Sequence, residues 1–195
     1  MKFQVLSHAG LAVTSGGRTL VTDPWIIGSC YWRSWWNYPP VTPQLVRSLK
    51  PDFIYVTHIH WDHFQGPSLR KFDKATQIYV PKGNFHRIRD DLVKMGFKNV
   101  TELRHGQSVD LTADFRITSY QFGVFLDSAL VIECEGITLL NANDAKFMGG
   151  PLAEIIKRHP QVDFVLRSHS SANSRLCWRF ISASNSTLRS CPASS

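Results

Sequence analysis

The sequence is short of the features by which several protein classes are recognised. Its four cysteines, Cys30, Cys134, Cys177 and Cys191, are scattered and form no Cys-x-x-Cys pair. That spacing argues against a zinc ribbon or a disulfide-framed domain. No apolar run approaches the roughly 20 residues that a membrane-spanning helix needs, so no membrane association is expected. The opening stretch, MKFQVLSHAGLAVTSGG, lacks the basic-then-apolar build of a signal peptide and reads as first strands. The expectation is a cytoplasmic protein. Acidic residues are missing after Asp163, where four arginines follow (Arg167, Arg175, Arg179 and Arg189). Without those four, the net charge of +7 falls to +3, which suits an anionic small molecule as readily as a nucleic acid. No basic run is interleaved with stacking aromatics in the way that single-strand binders require. A small-molecule substrate, anionic in character, is therefore expected rather than nucleic acid. Oligomeric state is left open.

What is present fits one globular domain: 195 residues, 43% hydrophobic and 19% charged. Short strand-like runs come first, at residues 3–6, 11–14 and 19–22. A loop at residues 24–41 follows, carrying Trp25, Tyr31, Trp32, Trp35, Trp36 and Tyr38. Thr42 and Pro43 read as the cap and first residue of a short helix to Leu49. Strands are expected at 52–56, 77–80 and 99–103, with a helix start at 67–72 and an amphipathic helix at 84–95. An antiparallel run at 108–111, 114–119, 128–134 and 137–140 comes next, then a helix at 151–159 and a strand at 162–166. Strands followed by strand–helix units, twice over, predict two sheets packed face to face with helices outside. The domain is expected to span residues 1–178. Residues 179–195 are polar and serine-rich, and read either as a disordered terminus or as the mark of a truncation or shifted frame after Trp178.

The most informative stretch is residues 57–64, THIHWDHF, directly behind the apolar run Phe53–Val56. In an extended segment alternating residues share a side, so His58 and His60 converge on one position. A turn after Trp61 aims Asp62 and His63 at a second. Imidazole nitrogens with a carboxylate suit zinc, iron or manganese.

This HxHxDH pattern after an apolar strand resembles the metallo-β-lactamase superfamily. Val21-Thr22-Asp23-Pro24-Trp25 and Ser7-His8-Ala9 resemble the branch that holds L-ascorbate-6-phosphate lactonase and the CMP-sialic acid hydroxylases. The resemblance implies an α/β fold, the four-layer αββα sandwich, incomplete at the C-terminus if the chain is truncated. It implies two divalent metal ions, zinc first and iron or manganese otherwise. Asp144, ending the strand GITLLNANDA, would bridge them, with an ordinary helix cap or turn as its plain alternative. Asp62 would hold one metal and orient or deprotonate the nucleophile, and Asp23 would support a ligand histidine from behind. His8 would line the site mouth or serve structure alone. The superfamily's third histidine on the first metal is missing between Ile117 and Phe125, where Gln121 or Tyr120 stands in its place. His169 is a further candidate ligand. The implied activity is hydrolysis of an ester, lactone or phosphoester by metal-bound hydroxide. The alternatives are an iron-dependent hydroxylase, or an inactive truncated fragment that still binds metal.

Overall fold

The structure is a computed structural model and describes residues 1–123 and 127–168. Strands β1 (Lys2–Ser7), β2 (Gly10–Ser15) and β3 (Arg18–Thr22) form an antiparallel meander. The aromatic loop then makes a small ribbon of β4 (Ser29–Cys30) and β5 (Trp35–Trp36), which alternation along the sequence did not predict. Helix α1 (Pro43–Ser48) starts where expected, with the Thr42 hydroxyl accepting from the Leu45 N–H at 3.2 Å. Strand β6 (Phe53–Tyr55), helix α2 (Gly66–Leu69), strand β7 (Gln77–Pro81), helix α3 (Arg87–Lys94) and strand β8 (Asn99–Leu103) complete the first half. Its sheet runs β1-β2-β3-β6-β7-β8, parallel from β3 onward.

The second half is an antiparallel run of β9 (Gln107–Thr112), β10 (Phe115–Phe122), β11 (Asp127–Cys134) and β12 (Ile137–Asn143). Helix α4 (Gly149–Arg158) then returns the chain to β13 (Phe164–Arg167), parallel to β12. The sheet order is β13-β12-β11-β10-β9.

Side-chain alternation creates the layers. In β6, Ile54 packs outward with Leu69 and Leu92 of the flanking helices, whereas Tyr55 turns inward toward Ile117 and Leu130 of the other sheet. In β12, Leu139 faces inward and Leu140 outward, toward Ile155 of α4. Helices thus cover both outer faces of a two-sheet sandwich. This is the expected four-layer α/β architecture. Among the described residues, no helix is long and apolar enough to cross a membrane.

The inner core is apolar in its middle and polar at one end. At that end Tyr55 hydroxyl bonds Ser119 Oγ at 2.7 Å and Ser128 Oγ at 2.9 Å, joining the two sheets. Asn141 Nδ2 donates to Thr22 Oγ1 across the same gap at 3.3 Å. The carboxyl ends of β3, β6 and β12 all open on this end, the usual place for a site in parallel α/β sheets.

Candidate metal centre

Three non-glycine residues at strand ends hold left-handed backbone on this rim: His8 (φ 46°) and Asp23 (φ 43°), each just past its strand, and Asn143 (φ 48°), the last residue of β12. Such positions cost on the order of 1 kcal/mol or more each and cluster where function over-determines geometry. The turn bearing His8 closes tightly on Gly10, where a Cβ would meet Ser7 O at 3.1 Å and Asp23 O at 3.3 Å.

Asp23 is fully buried and is the hub beneath the cluster. Its carboxylate accepts from the Thr57 N–H at 2.8 Å, the Thr57 hydroxyl at 2.8 Å, His63 Nδ1 at 3.0 Å and Asn143 Nδ2. Those bonds fix the start of the THIHWDHF segment and turn the opposite nitrogen of His63 outward. Ser128 Oγ donates to the Thr57 carbonyl at 2.7 Å, fastening the same segment to β11.

Two groups of ligand-type atoms result, each gathered within 4.8 Å: His58, His60 and Asp144 in one, and His8, Asp62 and His63 in the other. In the first, His58 Nε2 lies 2.9 Å from His60 Nδ1 and 3.7 Å from Asp144 Oδ2. In the second, Asp62 Oδ2 lies 2.9 Å from His8 Nε2 and 3.3 Å from His63 Nε2. Asp144 adjoins both, since its Oδ2 is also 3.3 Å from His63 Nε2. Asp62 Oδ1 accepts from the Tyr31 hydroxyl at 2.7 Å.

The donor set fits divalent cations. His63 Nε2 is sealed from solvent between two carboxylates and makes no properly angled hydrogen bond. A buried polar atom left in that state is costly unless a cation or proton satisfies it. Burial pulls the His63 pKa down, but Asp23, Asp144 and Asp62 outweigh it and push it up to about 12. Burial works against ionisation of Asp62, yet His63, His8 and the Tyr31 hydroxyl hold its carboxyl well below the usual carboxylate range. Asp144 is lowered chiefly by contact with His63, against burial and with help from His58. For His58, burial and the charge of His63 act together and lower its pKa. The centre therefore holds ionised carboxylates around imidazoles, the arrangement that a divalent ion replaces protons in.

Residues 2–124 match the family model of the beta-lactamase superfamily domain. The chain belongs to the metallo-β-lactamase superfamily. Among sequences of this superfamily, it is 32% identical over 146 residues to the cytidine monophosphate-N-acetylneuraminic acid hydroxylase of Xenopus laevis. That stretch covers 71% of the chain but only 25% of the hydroxylase, so the chain spans about a quarter of that relative's length. Among solved structures, the isothiocyanate hydrolase from Delia radicum gut bacteria superposes with a TM-score of 0.67 at 18% identity, covering 85% of this chain and 70% of that one. CmlA, a diiron β-hydroxylase from Streptomyces venezuelae, gives a TM-score of 0.63 at 19% identity, covering 84% and 33%. At these identities the structural likeness is one of metallo-β-lactamase fold.

The stand-ins sought for the superfamily's third histidine lie elsewhere. Gln121 donates its side-chain amide to Leu103 O at 2.9 Å, at the end of β8. β8 lies two strand spacings from β6, with β7 between them, about 10 Å. Tyr120 alternates to the outer face, where its hydroxyl meets His159 Nε2 at 2.9 Å. A carboxylate that the sequence reading passed over comes closer: Asp127 Oδ1 is 4.0 Å from His58 Nε2. Its signal was position, as the residue opening the strand DSALVIE on the rim. Tyr31 and Asn143 were also missed. His169 and residues 179–195 lie outside the described residues.

Proposed function

We propose that the chain carries a two-metal centre that hydrolyses an ester, lactone or phosphoester of a small anionic molecule. In this reading His58, His60 and Asp127 would hold one ion and Asp62 and His63 the other, with Asp144 as a ligand available to both. The domain that does so is residues 1–178, with residues 179–195 outside it. The observation that carries the reading is Asp144, whose Oδ2 stands 3.7 Å from His58 Nε2 and 3.3 Å from His63 Nε2. One carboxylate oxygen facing both imidazoles is the geometry of a shared ligand.

The ions, when bound, supply an acidified water and a Lewis acid for the oxygen under attack. The rest falls to the chain. Asp23 orients His63 through Nδ1, a carboxylate–histidine support that raises the basicity of the other nitrogen. Tyr31 fixes one oxygen of Asp62, which leaves Oδ2 for the ion and for a proton. His8 Nε2, at 2.9 Å from that oxygen on the exposed side, relays the proton to solvent. Hydrolysis leads because it needs only water, and no electron source.

A second reading, iron-dependent hydroxylation, is favoured by Asp127. A carboxylate in the place where the resemblance expects an imidazole shifts the ligand set toward harder ions such as iron or manganese. The hydroxylase relative points the same way. Elemental analysis of protein purified without added metal separates the two. About two zinc ions per chain, with ester or lactone turnover, support hydrolysis. Iron in their place moves the hydroxylase reading ahead. Loss of neither metal nor turnover in His58→Ala would sink both.

A further inference from the structure

A cavity of about 710 Å³ lies away from the metal ligands, against the edge strand of the first sheet. Lys82, Arg89, Arg104 and His105 line it, against a single acid, Glu102. That acid is already engaged: His86 Nδ1 stands 2.6 Å from Glu102 Oε2, and Arg89 Nη1 3.5 Å from it. Arg89 also meets Asp90 at 2.8 Å, and Glu154 of α4 meets His105 Nε2 at 3.3 Å. Among the described residues no carboxylate pairs with Lys82 or Arg104. Strand pairing nonetheless sets those two cations side by side. Pro81 of β7 is opposite Leu103 of β8, and the Lys82 N–H donates to the Leu103 carbonyl at 2.7 Å. Lys82 and Arg104 follow as neighbours at the two strand ends. Like charges placed next to each other across strands cost stability, and an anion between them removes that cost. The turn that carries Arg104 is fixed in place. The Arg104 N–H donates to Gln107 Oε1 at 2.9 Å, the Gly106 N–H to Ser119 O at 2.8 Å, and Arg158 holds the Gly106 carbonyl. His105 Nδ1 accepts from the Gln121 N–H at 3.1 Å, which leaves the ring proton on Nε2.

We infer that this cavity is a second binding site, separate from the metal centre, for the phosphoryl groups of a small oligophosphate, with Lys82 and Arg104 as its anchors. The volume is that of a small-ligand pocket. A guanidinium offers parallel donors to two oxygens of a tetrahedral oxyanion, and an ammonium adds a point charge. Two such cations together match adjacent phosphoryl groups better than one isolated charge. Thr101 and Gln107 add neutral polar groups to the wall. His105 is the one ring among the lining residues, so the walls offer little for a base to stack on. What they select is dense negative charge. The inference does not depend on the two-metal reading, because the cavity sits on β8, two strand spacings from the strand that leads into the metal ligands.

The test is a calorimetric titration of the full chain with inorganic pyrophosphate, without added divalent ions and with citrate as the carboxylate control. Pyrophosphate should bind once per chain, and Lys82→Ala and Arg104→Ala should each weaken it about tenfold or more. Lys94→Ala removes a cation of α3 that is 77% exposed and outside the cavity, and should leave binding unchanged. His58→Ala should leave it unchanged too, since the metal ligands take no part. Without pyrophosphate, Arg104→Ala should melt no lower than the parent, because it relieves a contact between like charges. An equal loss in Lys94→Ala means diffuse surface charge and overturns the inference. Loss in His58→Ala moves the anion to the metal centre and overturns it as well. Citrate held as tightly as pyrophosphate overturns the phosphoryl assignment. So does an RNA oligonucleotide held through Lys82 and Arg104 more tightly than pyrophosphate, which would make the cavity part of a nucleic-acid surface.

Discussion

His63 sits among Asp23, Asp62 and Asp144, and this gives the centre a pH dependence of definite sign. A metal needs the neutral imidazole, but the carboxylates keep it protonated, with the pKa pushed up to about 12. Binding must displace that proton, so affinity should rise with pH, by up to about tenfold per unit for one proton. Zinc titrations against a competing chelator at two pH values check this, and a pH-independent constant would refute it. Stability of the metal-free chain follows the same group. The folded pKa lies above the ordinary 6.5, so the contribution is full below that pH and is lost as pH rises toward about 12. Asp62 behaves oppositely: lowered from 3.8, its contribution is present above that value and lost as pH falls further. Melting curves should therefore show an alkaline decline that zinc removes. At this scale the sequence was legible where spacing alone decides, as in His58, His60, Asp62 and His63. It was illegible where a partner comes from another strand. Asp127 meets His58 only because the two sheets face each other there, and no local pattern in DSALVIE announces that. Gln121 had the right side-chain type, yet the carbonyl of Leu103 takes its amide.

Among the elements, β6 connects core and site. Its inward Tyr55 is fully buried, and its hydroxyl is held by Ser119 and Ser128 of the opposite sheet. Burial outweighs those bonds and raises its pKa, so it stays a neutral hydroxyl. Tyr55→Phe leaves two buried serine hydroxyls short of a partner, which should cost about 1–3 kcal/mol. Urea denaturation should show that loss with an unchanged slope, and metal affinity should fall as well, because Ser128 also holds the Thr57 carbonyl. A variant as stable as the parent would say that the bridge is ornamental. Strand positions were readable from alternation and continuous apolar runs, β8 to the residue. Helix α3 was not: the sequence places its start at Asn84, whereas it begins at Arg87. The reason is electrostatic. His86 Nδ1 turns to Glu102 of β8 at 2.6 Å, and makes no side-chain cap. The β4–β5 ribbon was hidden because two-residue strands have no period to detect.

For the whole molecule, the centre is a fastening between two sheets. His8, His58, His60, Asp62 and His63 come from the turns of the first sheet, and Asp127 and Asp144 from strand ends of the second. An ion bound across them exists only in the folded state, so it should stabilise by about 2.7 kcal/mol at a hundredfold excess over its dissociation constant. For a chain of this size that is about 5–10 °C in melting temperature. A shared ligand makes a sharper prediction than stabilisation itself. His60 touches one group alone, and His60→Ala should cost one of two ions and part of the shift. Asp144→Asn weakens the ligand common to both, so stoichiometry should fall toward zero and the shift should vanish. Metal content and melting temperature measured on the same samples decide it. If Asp144→Asn loses one ion and keeps the other tightly, the two positions are independent sites, and the bridged-centre reading is wrong.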